Sequence, residues 1–240
     1  MFRQRIRIRL IGDPGRIEHI ELHDQQLNIN SSNAWHGMLS ERRSGEQSDG
    51  SAEQLNDIQR EVVLPELALN EVFIGESLSS RVSYYELQID DGQPTKQKSS
   101  GVNVCTGTGS TSWYYNIIKL DEESVKDIMR IASDELNQQI PYENKELVKR
   151  VCSAFNRKLI FAPDFEKMAF LVRDPVSNAT FLPSAHRGFA SRIRVRSRCY
   201  DAHLVIDGGA AYKFNDGAEA ILEVSIIFNK YYLYMYIIIQ

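Results

Sequence analysis

The chain has 240 residues, 42% of them hydrophobic and 25% charged, with a formal net charge of −4. That length suits one large domain or two small ones, and the slightly acidic balance gives no global signal for nucleic acid. Cys105, Cys152 and Cys199 are odd in number, widely spaced and form no CxxC pair, so neither a zinc site nor a disulfide framework is indicated.

The opening residues alternate. Arg3, Arg5, Arg7 and Arg9 share one face, and Ile6, Ile8 and Leu10 the other, which predicts a half-buried strand. No apolar stretch follows the arginines, so the segment does not read as a secretory leader. Gly12-Asp-Pro-Gly15 is a turn, and Ile17 to Leu27 is a candidate second strand. Residues 28–60 are rich in Ser, Asn, Gly, Glu and Gln, a composition that predicts a flexible surface insertion.

Leu67 to Ile74 is a nearly continuous apolar run broken by Asn70 and Glu71. Val82 to Ile89 alternates, with Tyr85, Leu87 and Ile89 on one face, and Asp90-Asp-Gly92 predicts a hairpin turn after it. Val102 to Cys105 is a short strand that opens into Thr106-Gly-Thr-Gly-Ser-Thr-Ser112. Helical spacing follows. Ile117, Leu120, Val125, Ile128, Met129 and Ile131 fit one or two amphipathic helices, and Tyr142 to Leu159 fits another with Leu147, Val148, Val151, Cys152 and Phe155 on one face. Strands return at Lys167–Arg173, Ile193–Cys199, His203–Asp207 and Ala211–Phe214. A second arginine ladder, Arg192, Arg194, Arg196 and Arg198, lies within them. The layout predicts an α+β fold with a two-sheet, β-sandwich-like core and two or three helices. The final stretch, 225–240, is dense in isoleucine and tyrosine, is β-prone, and is too short to span a bilayer.

Four constellations could carry chemistry. The loop at Gly107 to Ser112 places small residues where backbone N–H groups and hydroxyls can approach a nucleotide; it matches neither GxGxxG nor the phosphate loop, and a helix-capping turn is the plainer reading. Asn70 and Glu71 offer an amide and a carboxylate that suit a ribose diol, the alternative being a strand end open to water. The arginine ladders are read as solvated strand faces rather than an anionic groove. Asp207-Gly-Gly209 is a strand-end turn whose aspartate could hold a loop backbone. The five histidines show no metal-ligand spacing, and no nucleophile–base pair stands out.

Together these pieces resemble the NAD kinase family, most closely its mitochondrial type. The resemblance rests on LNEVFIGESLSSR (Leu69 to Arg81), KSSGVNVCTGTGSTSW (Lys98 to Trp113), VIDGG (Val205 to Gly209) and RVRSRCYDAHLVIDGGAAYKFNDG (Arg194 to Gly217), in the family's order and separations. It implies transfer of the γ-phosphoryl of ATP, with magnesium, to the adenosine ribose 2′-hydroxyl of NAD. Asn70 and Glu71 are then expected to contact ribose hydroxyls. Thr108, Thr111 and Ser112 are expected to line the base sites, and Trp113, in place of the usual tyrosine, to stack on the ligand. Ser100, Asn116 and Asp207 are possible supports. The resemblance further implies a homodimer, a mitochondrial setting, and no membrane or nucleic-acid partner.

Two departures are visible. Ser99-Ser100-Gly101 stands where many members have an aspartate between two glycines, and no GGDG motif, which holds the family's catalytic aspartate, occurs in the chain. The expectation is therefore a C-terminal NAD-binding domain beginning at an internal methionine and inactive as a kinase by itself. Its expected parts are first strands at 1–27, the insertion at 28–60, the NAD-binding domain at 61–224, and an intron-derived tail at 225–240. The alternative is a non-catalytic NAD-binding or regulatory partner of a full-length kinase.

Overall fold

A computed structural model describes residues 3–12, 19–22, 60–177 and 185–225. The expected insertion lies almost wholly outside the described residues, as does the tail beyond Ser225.

Among the described residues the chain forms two antiparallel sheets. The first has six strands in the order β3 (Arg60–Ala68), β1 (Arg5–Gly12), β13 (Glu219–Ser225), β10 (Arg192–Ser197), β5 (Ser83–Ile89) and β6 (Thr95–Ser99). The second has seven: β2 (His19–Glu21), β12 (Ala210–Lys213), β11 (Ala202–Ile206), β4 (Glu71–Glu76), β7 (Val102–Cys105), β8 (Met168–Val172) and β9 (Arg187–Ala190). Three helices, α1 (Trp113–Ile118), α2 (Glu122–Leu136) and α3 (Lys145–Arg157), lie between β7 and β8 in sequence. This is the α+β, two-sheet architecture that the sequence predicts.

The sheets meet through one core. Alternate residues of the first sheet, including Ile6, Ile8, Leu87, Ile193, Val195 and Leu222, join alternate residues of the second, including Val72, Ile74, Val102, Val104 and Leu204, in a single buried cluster. Period-two alternation in β1, β5 and β10 produces this directly, because one face is apolar and the other polar.

The second sheet is covered on its other side as well. Cys105, Ala169 and Leu171 pack with Tyr114 of α1 and with Leu159, Phe155 and Phe161. Strands β7 and β8 are consequently buried on both faces; β8 reads as an unbroken apolar run, and β7 as an apolar run interrupted by Asn103. Val125 and Met129 of α2 pack with Val148 and Cys152 of α3 in a third cluster. Asp121 and Asn144 cap these two helices, accepting from the backbone N–H of Ser124 at 2.7 Å and of Leu147 at 3.1 Å. The helical spacing around Ile117 to Ile131 resolves into two helices, but Ile128 and Ile131 are more than half exposed; the α2–α3 contact uses only the stripe through Val125 and Met129.

The apolar run at Leu67–Ile74 is not one strand. Strand β3 pairs with β1 in the first sheet, while β4 pairs with β7 and β11 in the second. The chain crosses from one sheet to the other at Leu69-Asn70, and the run is apolar because both strands feed the same core.

Candidate nucleotide site

The crossing at Leu69-Asn70 is held by one carboxylate. Asp207 follows β11 with φ +48°, in the left-handed region where a non-glycine residue is uncommon. Its Oδ2 accepts from Leu69 N–H at 2.7 Å, and its Oδ1 accepts from Asn70 N–H at 2.7 Å and Glu71 N–H at 2.9 Å. The Asp207 N–H in turn donates to Glu71 O at 3.0 Å. A charged acceptor taking several backbone N–H groups is a strong, directional clamp. The loop that Asp207 holds is thus the Asn-Glu turn, not the Gly/Thr loop.

The Gly/Thr loop docks on the same turn from the other side. Thr106 N–H donates to Asn70 O at 2.9 Å, and the Thr106 hydroxyl donates to Leu69 O at 2.5 Å while accepting from Gly109 N–H at 3.2 Å. Ser110, fully buried, donates its hydroxyl to Gly107 O at 2.7 Å and accepts from Phe161 N–H at 3.2 Å. Two hydroxyls therefore face inward and brace the loop. Both glycines are dictated by close approach: a Cβ at Gly109 would stand 2.2 Å from Asn70 O, and one at Gly107 1.9 Å from Ala162 O. Thr108 and Ser112 are half-buried and Thr111 is exposed. Thr108 accepts from the Arg3 guanidinium at 3.4 Å. Ser112 precedes α1 without a side-chain capping bond, so the helix-cap reading of this loop is not what the structure shows.

On the outer face of the second sheet, Glu71 lies opposite Cys105 and Phe73 opposite Asn103. The Phe73 ring meets the Trp113 ring at 4.9 Å between centroids, and the Arg173 guanidinium lies 5.8 Å from the Trp113 ring centre. The two ends of the candidate site, Asn70/Glu71 and Trp113, are thereby joined along β4. Burial, with the Asp207 charge adding to it, pushes the Glu71 carboxyl above the ordinary carboxylate range. Its Oε2 is buried without a hydrogen-bond partner.

The supporting residues are scattered. Ser100 lies in the β6–β7 turn, at the far end of β7 from the Gly/Thr loop; the buried Ser99 beside it makes the bracing bonds, to Tyr85 Oη at 2.8 Å and to Gly101. Asn116 is exposed on α1, donating to Ser112 O at 3.0 Å and accepting from Lys119 at 2.9 Å. Sequence reasoning missed Thr106, Ser110, Phe73, Asn103 and Arg173, whose roles come from partners distant in sequence. An open cleft of about 540 Å³, lined by Glu76, Arg81, Val82, Tyr84, Arg198 and Tyr200, lies toward the other end of β4 and includes none of the expected site residues. Among the described residues no group of three His, Cys, Asp or Glu side chains is gathered to hold a metal ion.

No family model matches the chain. It is 45% identical over 230 residues to human "NAD kinase 2, mitochondrial", a match covering 96% of this chain and 49% of that protein. The rat protein of the same name matches at 45% over 96% of this chain and 51% of its own length, and that of Xenopus tropicalis at 42% over 90% and 52%. The solved structure of yeast NADH kinase complexed with NADH aligns over 94% of this chain and 41% of that one, at 14% identity and a TM-score of 0.49, too loose a likeness to carry weight. The chain spans about half the length of the curated relatives it matches. With 42–45% identity sustained over nearly its whole length, the chain is similar throughout to the mitochondrial members of the NAD kinase family.

Proposed function

We propose that this chain supplies the NAD site of a mitochondrial NAD kinase, which transfers the γ-phosphoryl of ATP to the 2′-hydroxyl of NAD's adenosine ribose. The observation that carries the reading is the coincidence of two things. The kinship with mitochondrial NAD kinase 2 runs through the whole described region, and within it the Asn-Glu turn, the Gly/Thr loop and the Asp207 turn converge on one backbone clamp.

Phosphoryl transfer depends on positioning and on stabilising charge around the transferred group. The chain's contribution is to position the acceptor. The Asn70 amide and Glu71 carboxylate face the ribose hydroxyls, and the clamp fixes their backbone so that little is lost to ordering on binding. Thr108, Thr111 and Ser112 line the base sites, and the exposed Trp113 face stacks on a ring. Donor ATP and its magnesium engage machinery that this chain's motifs do not include; no step is assigned to a metal on these residues. Self-association into a homodimer belongs to the same proposal.

The test is calorimetric titration of the purified chain with NAD, followed by an assay for NADP with magnesium-ATP. The reading expects saturable NAD binding that Glu71→Ala weakens at least about tenfold, roughly one charged hydrogen bond. Because the chain has no GGDG motif, it expects no NADP from these 240 residues alone. Absence of NAD binding would overturn the reading.

A further inference from the structure

Asn103 is fully buried, and neither atom of its carboxamide has a hydrogen-bond partner. It sits in β7 between Phe73 of β4 and Leu171 of β8, on the outer face of the second sheet. Buried polar side chains are nearly always satisfied, and an isosteric leucine in this apolar setting avoids the desolvation cost. An amide kept here at a cost to stability points to a partner that arrives. A second open polar atom, Glu71 Oε2, is on the same face, one cross-strand row away.

The chemistry of that partner is narrow. A carboxamide with both ends open presents one donor group and one acceptor in a plane, and its complement is a planar fork of one acceptor and one donor. NAD carries two such forks: the carboxamide of its nicotinamide, and the amine with the adjacent ring nitrogen of its adenine. Resting on the reading above, we propose that Asn103 is a specificity-determining residue of the NAD site, pairing with one of these forks. Trp113 moves to admit it. The indole lies against Phe73, the cross-strand neighbour of Asn103, is 37% exposed, and begins a helix of only six residues without a side-chain cap. The fork enters beneath the indole, which then covers the paired amides and excludes water from them.

The experiment compares the wild-type chain with Asn103→Leu, titrating each with NAD, with nicotinic acid adenine dinucleotide and with nicotinamide hypoxanthine dinucleotide, and melting each without ligand. The first analogue lacks the nicotinamide amine and the second the adenine amine. The proposal expects Asn103→Leu to bind NAD at least about tenfold more weakly, the scale of one bidentate pair, with a melting temperature equal to or above wild type. It also expects the loss to vanish for one analogue, which identifies the end that is read. A residue of structural role alone gives the opposite pattern, a lowered melting temperature with unchanged affinity. Equal NAD affinity in both proteins, or an equal loss for all three dinucleotides, overturns the proposal while leaving NAD binding intact. If wild type binds no NAD, the underlying reading fails and this inference falls with it. Should the leucine variant not fold, Asn103→Thr, which suits a strand but lacks the fork, carries the same comparison.

Discussion

The outer faces of the two sheets handle polar groups in opposite ways. On the first sheet, the arginine ladders lie on one face; five of their arginines meet carboxylates, while Arg5 and Arg7 donate to Leu67 O and to the Ser225 hydroxyl, and the Nε atoms of Arg9 and Arg196 have no hydrogen-bond partner. Arg9 pairs with Glu61 at 2.6 Å and Glu223 at 3.1 Å, Arg192 with Glu223 at 3.4 Å, Arg194 and Arg196 with Glu219, and Arg198 with Glu86 at 2.9 Å. Ile221, at 5% exposure, sits between Arg9 and Arg194 and is covered by their aliphatic stems. On the second sheet, the outer face is mostly apolar and covered by helix and loop, yet Glu71 and Asn103 are left with open atoms. A face whose charges mostly meet counter-charges has little left for a ligand, whereas one that buries a carboxamide with neither end paired has. The difference separates the structural use of charge from its binding use.

The sharpest way to break this comparison is at the loop against the Asn-Glu turn. Gly109→Ala and Gly107→Ala drive a methyl into backbone carbonyls, and each is expected to cost roughly 3 kcal/mol or more of unfolding free energy, read by urea titration. A loss below 1 kcal/mol would mean that the loop is free to move and the clamp is not tight. Next comes Asp207→Ala, which strands three backbone N–H groups and places alanine at a positive φ. A loss of about 2 kcal/mol is expected, together with faster amide exchange at Leu69, Asn70 and Glu71. Uniform exchange rates across wild type and variant would remove the clamp from the account.

Glu71 gives a smaller effect with a defined sign. Its folded-state pKa is raised, so between the ordinary carboxylate range and that higher value the folded chain holds more proton than the unfolded one, and stability falls as pH rises through that window. Glu71→Gln is therefore expected to stabilise the chain at neutral pH by about 1 kcal/mol or less, discounted for the part of the side chain that water screens. The gain disappears in acid below the ordinary carboxylate range. Melting curves at several pH values test this, and a gain that grows in acid contradicts it. The smallest effect belongs to the ladder: Arg192→Ala, one exposed pair among several, is expected to cost no more than about 0.5 kcal/mol, less in high salt. A cost above 2 kcal/mol would show that the ladder is a cooperative network and not a set of screened pairs.

The sequence revealed strands where one face is apolar and the other polar, as in β1, β5 and β10, because alternation is a local signal. It did not reveal β6, whose residues Thr95–Ser99 include no apolar side chain and which is held as an edge by pairing with β5. Strand β13 was hidden for another reason: it lies between two arginine ladders, and its outward Ile221 is buried by neighbours that come from β1 and β10. Within the candidate site, Asn70, Glu71 and the Gly/Thr loop were legible as unusual residues in apolar or glycine-rich settings. The bracing by Thr106 and Ser110 was not, since their partners are 36 to 51 positions away. The unpartnered state of Asn103 needs three adjacent strands to define it.

Strand β1 is paired on one side by β13, so that Arg9 meets Glu223 across 214 positions of sequence. A strand in the middle of a sheet whose neighbour is made so much later has to wait during synthesis. At ribosomal rates of roughly 5–20 residues per second, the gap between β1 and β13 lasts on the order of 10–40 seconds. Throughout that interval β1 carries an apolar face and an open backbone edge, the combination that invites wrong pairing. Early partnership with β3 shields only one of its two edges. The arginines along its other face then have a use before the fold exists: like charges on every nascent copy keep the waiting strands apart until β13 arrives.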